Sequence, residues 1–160
     1  MHTIDPPDAT TRVPSRLAPL VLSFRECREV LARVGWGVLG TVGDGQPYGV
    51  PVGFALGADC VYVASGPGRK RTNLERDPRV CLTVCDVAGY DSWRSVVVEG
   101  EALPVEGLVE RAAAVAAFVA QRGPRARPAD VTRLMSARLL RLSLAHMSGR
   151  GRGEPSEPAS

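Results

Sequence analysis

Lysine, asparagine and isoleucine are almost missing from this chain: each occurs once in 160 residues, as Lys70, Asn73 and Ile4. All three have AT-rich codons, and a GC-rich genome drains them together. Every other basic side chain is arginine. Long apolar runs are missing too. The longest, Ala112 to Ala120, is far too short to span a bilayer as a helix. The start, Met1 to Pro19, holds no apolar run of signal-peptide type, so a cytoplasmic, non-membrane protein is expected. Net charge is only +3. Without a dense basic stripe interleaved with aromatics, no nucleic-acid partner is expected.

Catalytic and metal constellations are equally scarce. The four cysteines (Cys27, Cys60, Cys81, Cys85) form no C-x-x-C pair. Cys81 and Cys85 fall on one predicted strand, about 13 Å apart, beyond disulfide reach. With His2 and His146 as the only histidines, no metal site is expected. The cysteines are predicted to be small buried apolar residues. No nucleophile–base pair is evident, so no catalytic residue is assigned. His146 is a lone strand-end histidine, and Glu99 and Glu101 share a solvated strand face. No phosphate-binding P-loop and no dinucleotide-binding glycine fingerprint is present.

What is there suits one domain. It is expected over residues 21–148, with a flexible lead (1–20) and a disordered tail (149–160) rich in Gly, Pro, Ser and Arg. Ser23 and Glu26 read as a capping box. They open a helix over Phe24–Val34, which Gly35 ends. Strands are predicted over Trp36–Val42, Tyr48–Leu56, Cys60–Ser65, Val80–Cys85, Trp93–Leu103 and Ala137–His146. Gly43-Asp44-Gly45 is a hairpin turn. Gly49, Pro51 and Gly53 mark the second strand as an edge or a bulge. Short helices are predicted over 68–76 and 130–135, with a longer one over Val105–Gln121 whose apolar face is Leu108, Ala112, Val115, Phe118 and Val119. Six hairpin-linked strands with helical decoration make a small antiparallel barrel, mainly β.

Within this frame Lys70 stands out. It follows Gly66-Pro67-Gly68 and Arg69, where a short helix can begin. Helix-start amides, two adjacent cations and the Thr72 hydroxyl would hold a phosphate there. The alternative is a solvated loop lysine.

The residues carry a resemblance. The runs are Gly40 to Phe54 (GTVGDGQPYGVPVGF), Val61 to Ser65 (VYVAS), Gly68-Arg69-Lys70, Asn73-Leu74, Asp77 to Val84 (DPRVCLTV) and Ser95 to Gly100 (SVVVEG). In that order they resemble the pyridoxamine 5′-phosphate oxidase-like flavoproteins, and among these the nitroimidazole-resistance-type members. The resemblance covers roughly residues 20–148.

It implies a six-stranded split β-barrel of Greek-key type that forms a homodimer and binds FMN in clefts at the subunit interface. Arg69 and Lys70 would hold the flavin phosphate. Val50, Pro51 and Val52 would line the isoalloxazine with backbone groups. Ala64 and Ser65 would lie near the phosphate and ribityl chain, and Ser95 would be a polar cofactor contact on the fifth strand. Asn73 joins the cofactor-binding set, capping or bracing the helix. The implied activity is an FMN-dependent oxidoreductase acting on a small molecule, with NAD(P)H or another electron donor. The alternatives are a reductase using the deazaflavin F420, and a flavin-binding or sensing protein without turnover. Heme ranks third, because His146 is the one candidate axial ligand.

Two departures bear on substrate. Many nitroimidazole-resistance-type members carry a histidine near the end of the third strand, where this chain has Ala64-Ser65. The oxidase proper has further C-terminal substrate-binding segments, and this chain ends soon after Met147. Neither nitroimidazole reduction nor pyridoxamine phosphate oxidation is therefore expected.

Overall fold

The computed structural model describes residues 18–153. Most of the expected lead, and the end of the expected tail, lie outside the described residues. Helix α1 (Phe24–Val34) has the bounds predicted for it. The Glu26 N–H donates to Ser23 Oγ, and the Glu26 carboxylate accepts from the Ser23 N–H at 2.7 Å. That reciprocal bonding satisfies helix-start donors that would otherwise be orphaned. Gly35 ends α1 with φ 66°, a left-handed conformation that favours glycine.

The strands are β1 (Leu20–Val21), β2 (Trp36–Gly43), β3 (Gln46–Leu56), β4 (Cys60–Ser65), β5 (Arg79–Gly89), β6 (Ser92–Glu101), β7 (Leu103–Pro104), β8 (Arg138–Ser143) and β9 (Met147–Arg152). The described residues thus form nine strands, not the six expected. Two of the additions, β1 and β7, are two residues long, too short to show a period. The third, β9, reads MSGRGR. It lacks apolar alternation, so it passed for a mobile tail. Its glycines are what let it pack. A Cβ on Gly149 would meet Cys27 Sγ at 2.5 Å, and one on Gly151 would meet Arg94 Cδ at 2.5 Å. The domain boundary expected at 148 therefore moves to the end of β9.

The strand order is β1-β9-β6-β5-β2-β3-β4-β8-β7, with every pairing antiparallel. β8 and β9 are joined by Leu144, Ala145 and His146 alone. Yet they lie near opposite ends of that order, so the sheet must curl until its two sides meet. Where they meet, Gly100 of β6 lies against β8, and a Cβ there would stand 3.2 Å from Leu142 Cδ1. Leu39, Phe54, Val61, Leu82, Val84, Val96, Val98 and Leu142 fill the curl, and Cys27, Val30 and Leu31 of α1 pack into the same core.

Helix α3 (Leu108–Arg122) covers β3, β4 and β8, and α4 (Pro128–Ser136) follows it. α3 starts later than the periodicity suggests. Val105 still runs alongside β8, its N–H donating to the Leu139 carbonyl, and Gly107 then turns at φ 75°. Its buried face is Ala114, Val115 and Phe118. Leu108 is 79% exposed and Ala112 is also exposed, so both leave the predicted face. The strand predicted to end at Cys85 also runs longer, since β5 continues to Gly89 through a bulge. Of the cysteines, Cys27 and Cys60 are buried as predicted, whereas Cys81 is half-buried and Cys85 is exposed.

Candidate functional site

The site grows from one irregularity in the sheet. β3 pairs with β2 along Gln46–Gly53. It pairs with β4 only through Phe54–Leu56. Beyond Phe54 the two strands part, leaving the Gly49–Gly53 stretch as an open edge facing Ala64 and Ser65. The Phe54 N–H points to β2, where it bonds the Gly35 carbonyl at 3.0 Å. Strand alternation then aims the N–H groups of Gly49 and Gly53, and the Pro51 carbonyl, into the opening. Pro51 has no N–H to leave unpaired there. The side chains of Val50 and Val52 turn inward to the core.

Below this opening, Gly66 to Gly68 lead into α2 (Arg69–Arg76). Gly68 serves as N-cap at φ 131° with no side-chain cap, and the first turn holds no acidic residue. Four cations lie on this helix. Arg71 pairs with Glu75, which also binds Arg138, and Arg76 pairs with Asp44. Arg69 and Lys70, the two at the helix start, have no carboxylate partner among the described residues. The Arg69 guanidinium instead sits 4.7 Å from the Tyr48 ring centroid. That contact fixes the helix start beside the open edge of β3. Lys70 is half-buried, and burial pushes its ammonium below the usual lysine range. A half-buried cation with no anion is costly unless something supplies one.

Asn73 lies behind this pair. It is 5% exposed, and its Nδ2 donates to Thr41 Oγ1 at 3.0 Å. Thr41 Oγ1 in turn donates to the Tyr48 carbonyl at 3.3 Å. Asn73 therefore ties α2 to the β2–β3 hairpin. Ser65 is buried at the end of β4, opposite Arg138. The structure thus groups Val50, Pro51, Val52, Ala64, Ser65, Arg69 and Lys70 around one opening, with Asn73 as its brace. It does not bring Ser95 there. Ser95 is on β6, three strands from β3, which is about 14 Å. It pairs with Cys85 and Arg150 and lines a separate 540 Å³ cavity with Trp93 and Tyr90.

Another 540 Å³ cavity opens over β2, β3 and β5, with Gly40, Tyr48, Gly49 and Cys81 in its wall and Asp77 and Arg79 at its rim. Hydrogen bonds from Arg79 lower the Asp77 carboxyl to about 2, so that pair stays ionised. Two contributors went unrecognised in the sequence: Tyr48, which seats Arg69, and Thr41, which receives Asn73. An aromatic three residues past a hairpin turn was the available signal for the first. Nothing local marks the second.

A sequence model of the family described as pyridoxamine 5′-phosphate oxidase matches residues 23–151. The chain belongs to that family. An uncharacterized protein of Rhizobium meliloti (strain 1021) is 36% identical over 80 residues, 50% of this chain and 53% of that protein. The match thus spans about half the length of that curated relative. An FAD-binding protein from Mesorhizobium loti superposes with a TM-score of 0.68 at 28% identity, over 86% of this chain and 98% of that one. A candidate 5-nitroimidazole antibiotic resistance protein from Bacteroides thetaiotaomicron gives 0.70 at 20% identity, over 84% and 87%. The flavocytochrome Anf3 from Azotobacter vinelandii gives 0.67 at 24% identity, over 86% and 71%. Below 25% identity such likeness shows the fold alone. Among the described residues, no helix is long and apolar enough to cross a membrane.

Proposed function

We propose that this chain binds a flavin, with Lys70 and Arg69 holding its phosphate, and acts as an oxidoreductase on a small molecule. One observation carries the reading. Among the described residues, two adjacent cations at an uncapped helix start lack carboxylates, while two others on the same helix are paired. A phosphate dianion supplies the missing counter-charge, and the helix-start amides add donors. The open edge of β3 offers backbone groups to the ring system, and Ser65 lies between the two regions. Bound flavin would supply the electron-transfer chemistry, and the protein would supply orientation and fixed dipoles. NAD(P)H or a comparable donor would provide electrons.

A homodimer belongs to the same proposal. The outer face of the sheet carries Trp36, 65% exposed, and Val38, 47% exposed. Val38 lies between Pro51 and Thr83 in register, and Thr83 faces Val97. Ser95, two residues before Val97, shares that face. Pairing two copies there would carry the Ser95 region of one copy toward the Lys70 opening of the other. Such pairing would reunite the two halves of the site.

FMN is the proposed form. FAD is a second reading, favoured by the Mesorhizobium loti FAD-binding protein at 28% identity. The test is the visible spectrum of the purified protein, followed by chromatography of what denaturation releases. Release of FMN or FAD supports the flavin reading. A colourless protein that binds added F420 but neither flavin overturns it. Oxidation of NAD(P)H with an acceptor then separates an enzyme from a flavin-binding protein without turnover.

A further inference from the structure

A 420 Å³ cavity lies where the C-terminal ends of α1 and α3 meet the start of β2. That is the size of a small-molecule site. Phe118, Gln121 and Arg122 reach it from one face of α3, at i, i+3 and i+4 spacing. Gly53 connects it to the opening described above. The Gly53 N–H faces that opening, about 13 Å along β3 from Gly49. A cofactor ring laid along this edge from the Lys70 end would reach the cavity.

Gly53 also makes room for an aromatic surface. A Cβ there would stand 3.7 Å from Trp36 Cζ2 and 3.8 Å from Cε2 and Cη2. The indole thus rests on the strand, and Trp36 remains 65% exposed. Phe118, 7% exposed, adds a second aromatic side chain. Two of the arginines here are spent: Arg33 pairs with Asp86, and Arg122 with Asp130. Gln121 is half-buried, and its Nε2 donates to the Ala32 carbonyl at 2.7 Å. That bond settles which end of the carboxamide is nitrogen. A carboxamide carries two N–H donors and an accepting oxygen. The second N–H and Oε1 of Gln121 make no hydrogen bond among the described residues, and Arg125 at the rim makes no ion pair among them.

We infer that this cavity binds an aromatic primary carboxamide, its ring beside Trp36 and its amide against Gln121. Such an amide presents the complementary donor and acceptor, and a flat ring suits the aromatic side chains. Nicotinamide is such a group, either free or at the end of a dinucleotide electron donor whose phosphates would lie toward Arg125. That the bound ring meets a flavin rests on the function proposed above. The carboxamide site stands on its own lining.

The experiment is a proton–nitrogen NMR titration of the flavin-loaded protein with nicotinamide, pyridine and NAD+. The chain has two tryptophans, so two indole N–H signals separate this cavity (Trp36) from the Ser95 region (Trp93). Nicotinamide should shift the Trp36 indole and Gln121 side-chain signals saturably, binding at least about fivefold tighter than pyridine. Gln121→Leu should remove that preference, with an unmoved Trp93 signal showing the fold intact. NAD+ should bind tighter than nicotinamide, and Arg125→Glu should weaken NAD+ about three- to tenfold while leaving nicotinamide unchanged. Equal affinity for NAD+ and nicotinamide would support the site with a free aromatic amide as its ligand. No saturable shift with nicotinamide, no preference over pyridine, shifts at Trp93 alone, or a preference that survives Gln121→Leu would overturn the carboxamide site. Flavin occupancy is read separately from its absorbance. A wild-type protein that holds no flavin overturns the flavin reading instead.

Discussion

Asn73 Nδ2 donates to Thr41 Oγ1 across 3.0 Å, and this buried bond between α2 and β2 sets where the helix start can stand. It places the one asparagine of the chain against Gly43, where a Cβ would collide with the Asn73 carboxamide. Gly43→Ala should therefore destabilise the protein by about 1–3 kcal/mol. Asn73→Ala should cost about 1–3 kcal/mol by leaving Thr41 under-bonded. The combination should cost clearly less than the sum, because removing the carboxamide frees the space. Urea unfolding of the three variants checks this, and strict additivity would rule out the contact.

Lys70→Ala should weaken flavin binding by about 1–3 kcal/mol, the range for losing a charge-assisted hydrogen bond. Quenching of flavin fluorescence on binding measures it. Asn73→Ala should change affinity less, since its buried carboxamide is engaged by Thr41. Equal affinity in wild type and the Lys70 variant would refute the phosphate role.

Burial lowers the Lys70 pKa in the cofactor-free chain, and the sign of its pH dependence follows. Below the folded pKa both states are protonated, and folding bears the whole cost of burying the cation. Between the folded and the unfolded pKa, the unfolded state binds more protons. Stability therefore rises with pH, and the cost has vanished above the ordinary lysine range. Lys70→Met should accordingly raise the melting temperature of cofactor-free protein at neutral pH, with the gain shrinking as pH climbs toward that range. A lower melting temperature in the variant at neutral pH would contradict this.

Arg94 fastens the last strand through the carbonyls of Trp93, Arg152 and Gly153. Arg94→Met should cost about 2–4 kcal/mol, because it removes several charge-assisted bonds and leaves buried carbonyls under-bonded. Hydrogen exchange should quicken first at Gly149–Arg152. Uniform protection across β9 in that variant would show that the clamp is not needed.

Val38→Arg, placed on the proposed subunit interface, should convert a dimer to monomer and lower flavin occupancy with it. Light scattering at micromolar concentration reads the first effect. A wild-type monomer would end the dimer proposal.

Much of this protein was legible along the chain. Local rules sufficed for α1, because Ser23, Glu26 and Gly35 carry its start and stop signals within single turns. β4 and the Asp44-Gly45 hairpin were equally readable, since both turn residues must take positive φ (52° and 73°) and glycine is permissive there. The order of motifs from Gly40 to Gly100 was enough to place the chain in its family, and the setting of Lys70 after Gly66-Pro67-Gly68 marked the anion site proposed above. β9 was not legible, because a Ser-Gly-Arg strand is held by the β6 edge, by Arg94 and by the space over Cys27, none of which leaves a local pattern. The late start of α3 depended in the same way on Val105 being captured by β8. Helix geometry alone pairs Arg71 with Glu75 at i, i+4 spacing. Tertiary structure decided the rest: Arg76 meets Asp44 because the fold brings the hairpin turn within reach, while Arg69 and Lys70 meet no carboxylate among the described residues. The separation of Ser95 from the Lys70 opening by three strands of sheet is likewise a matter of three-dimensional distance.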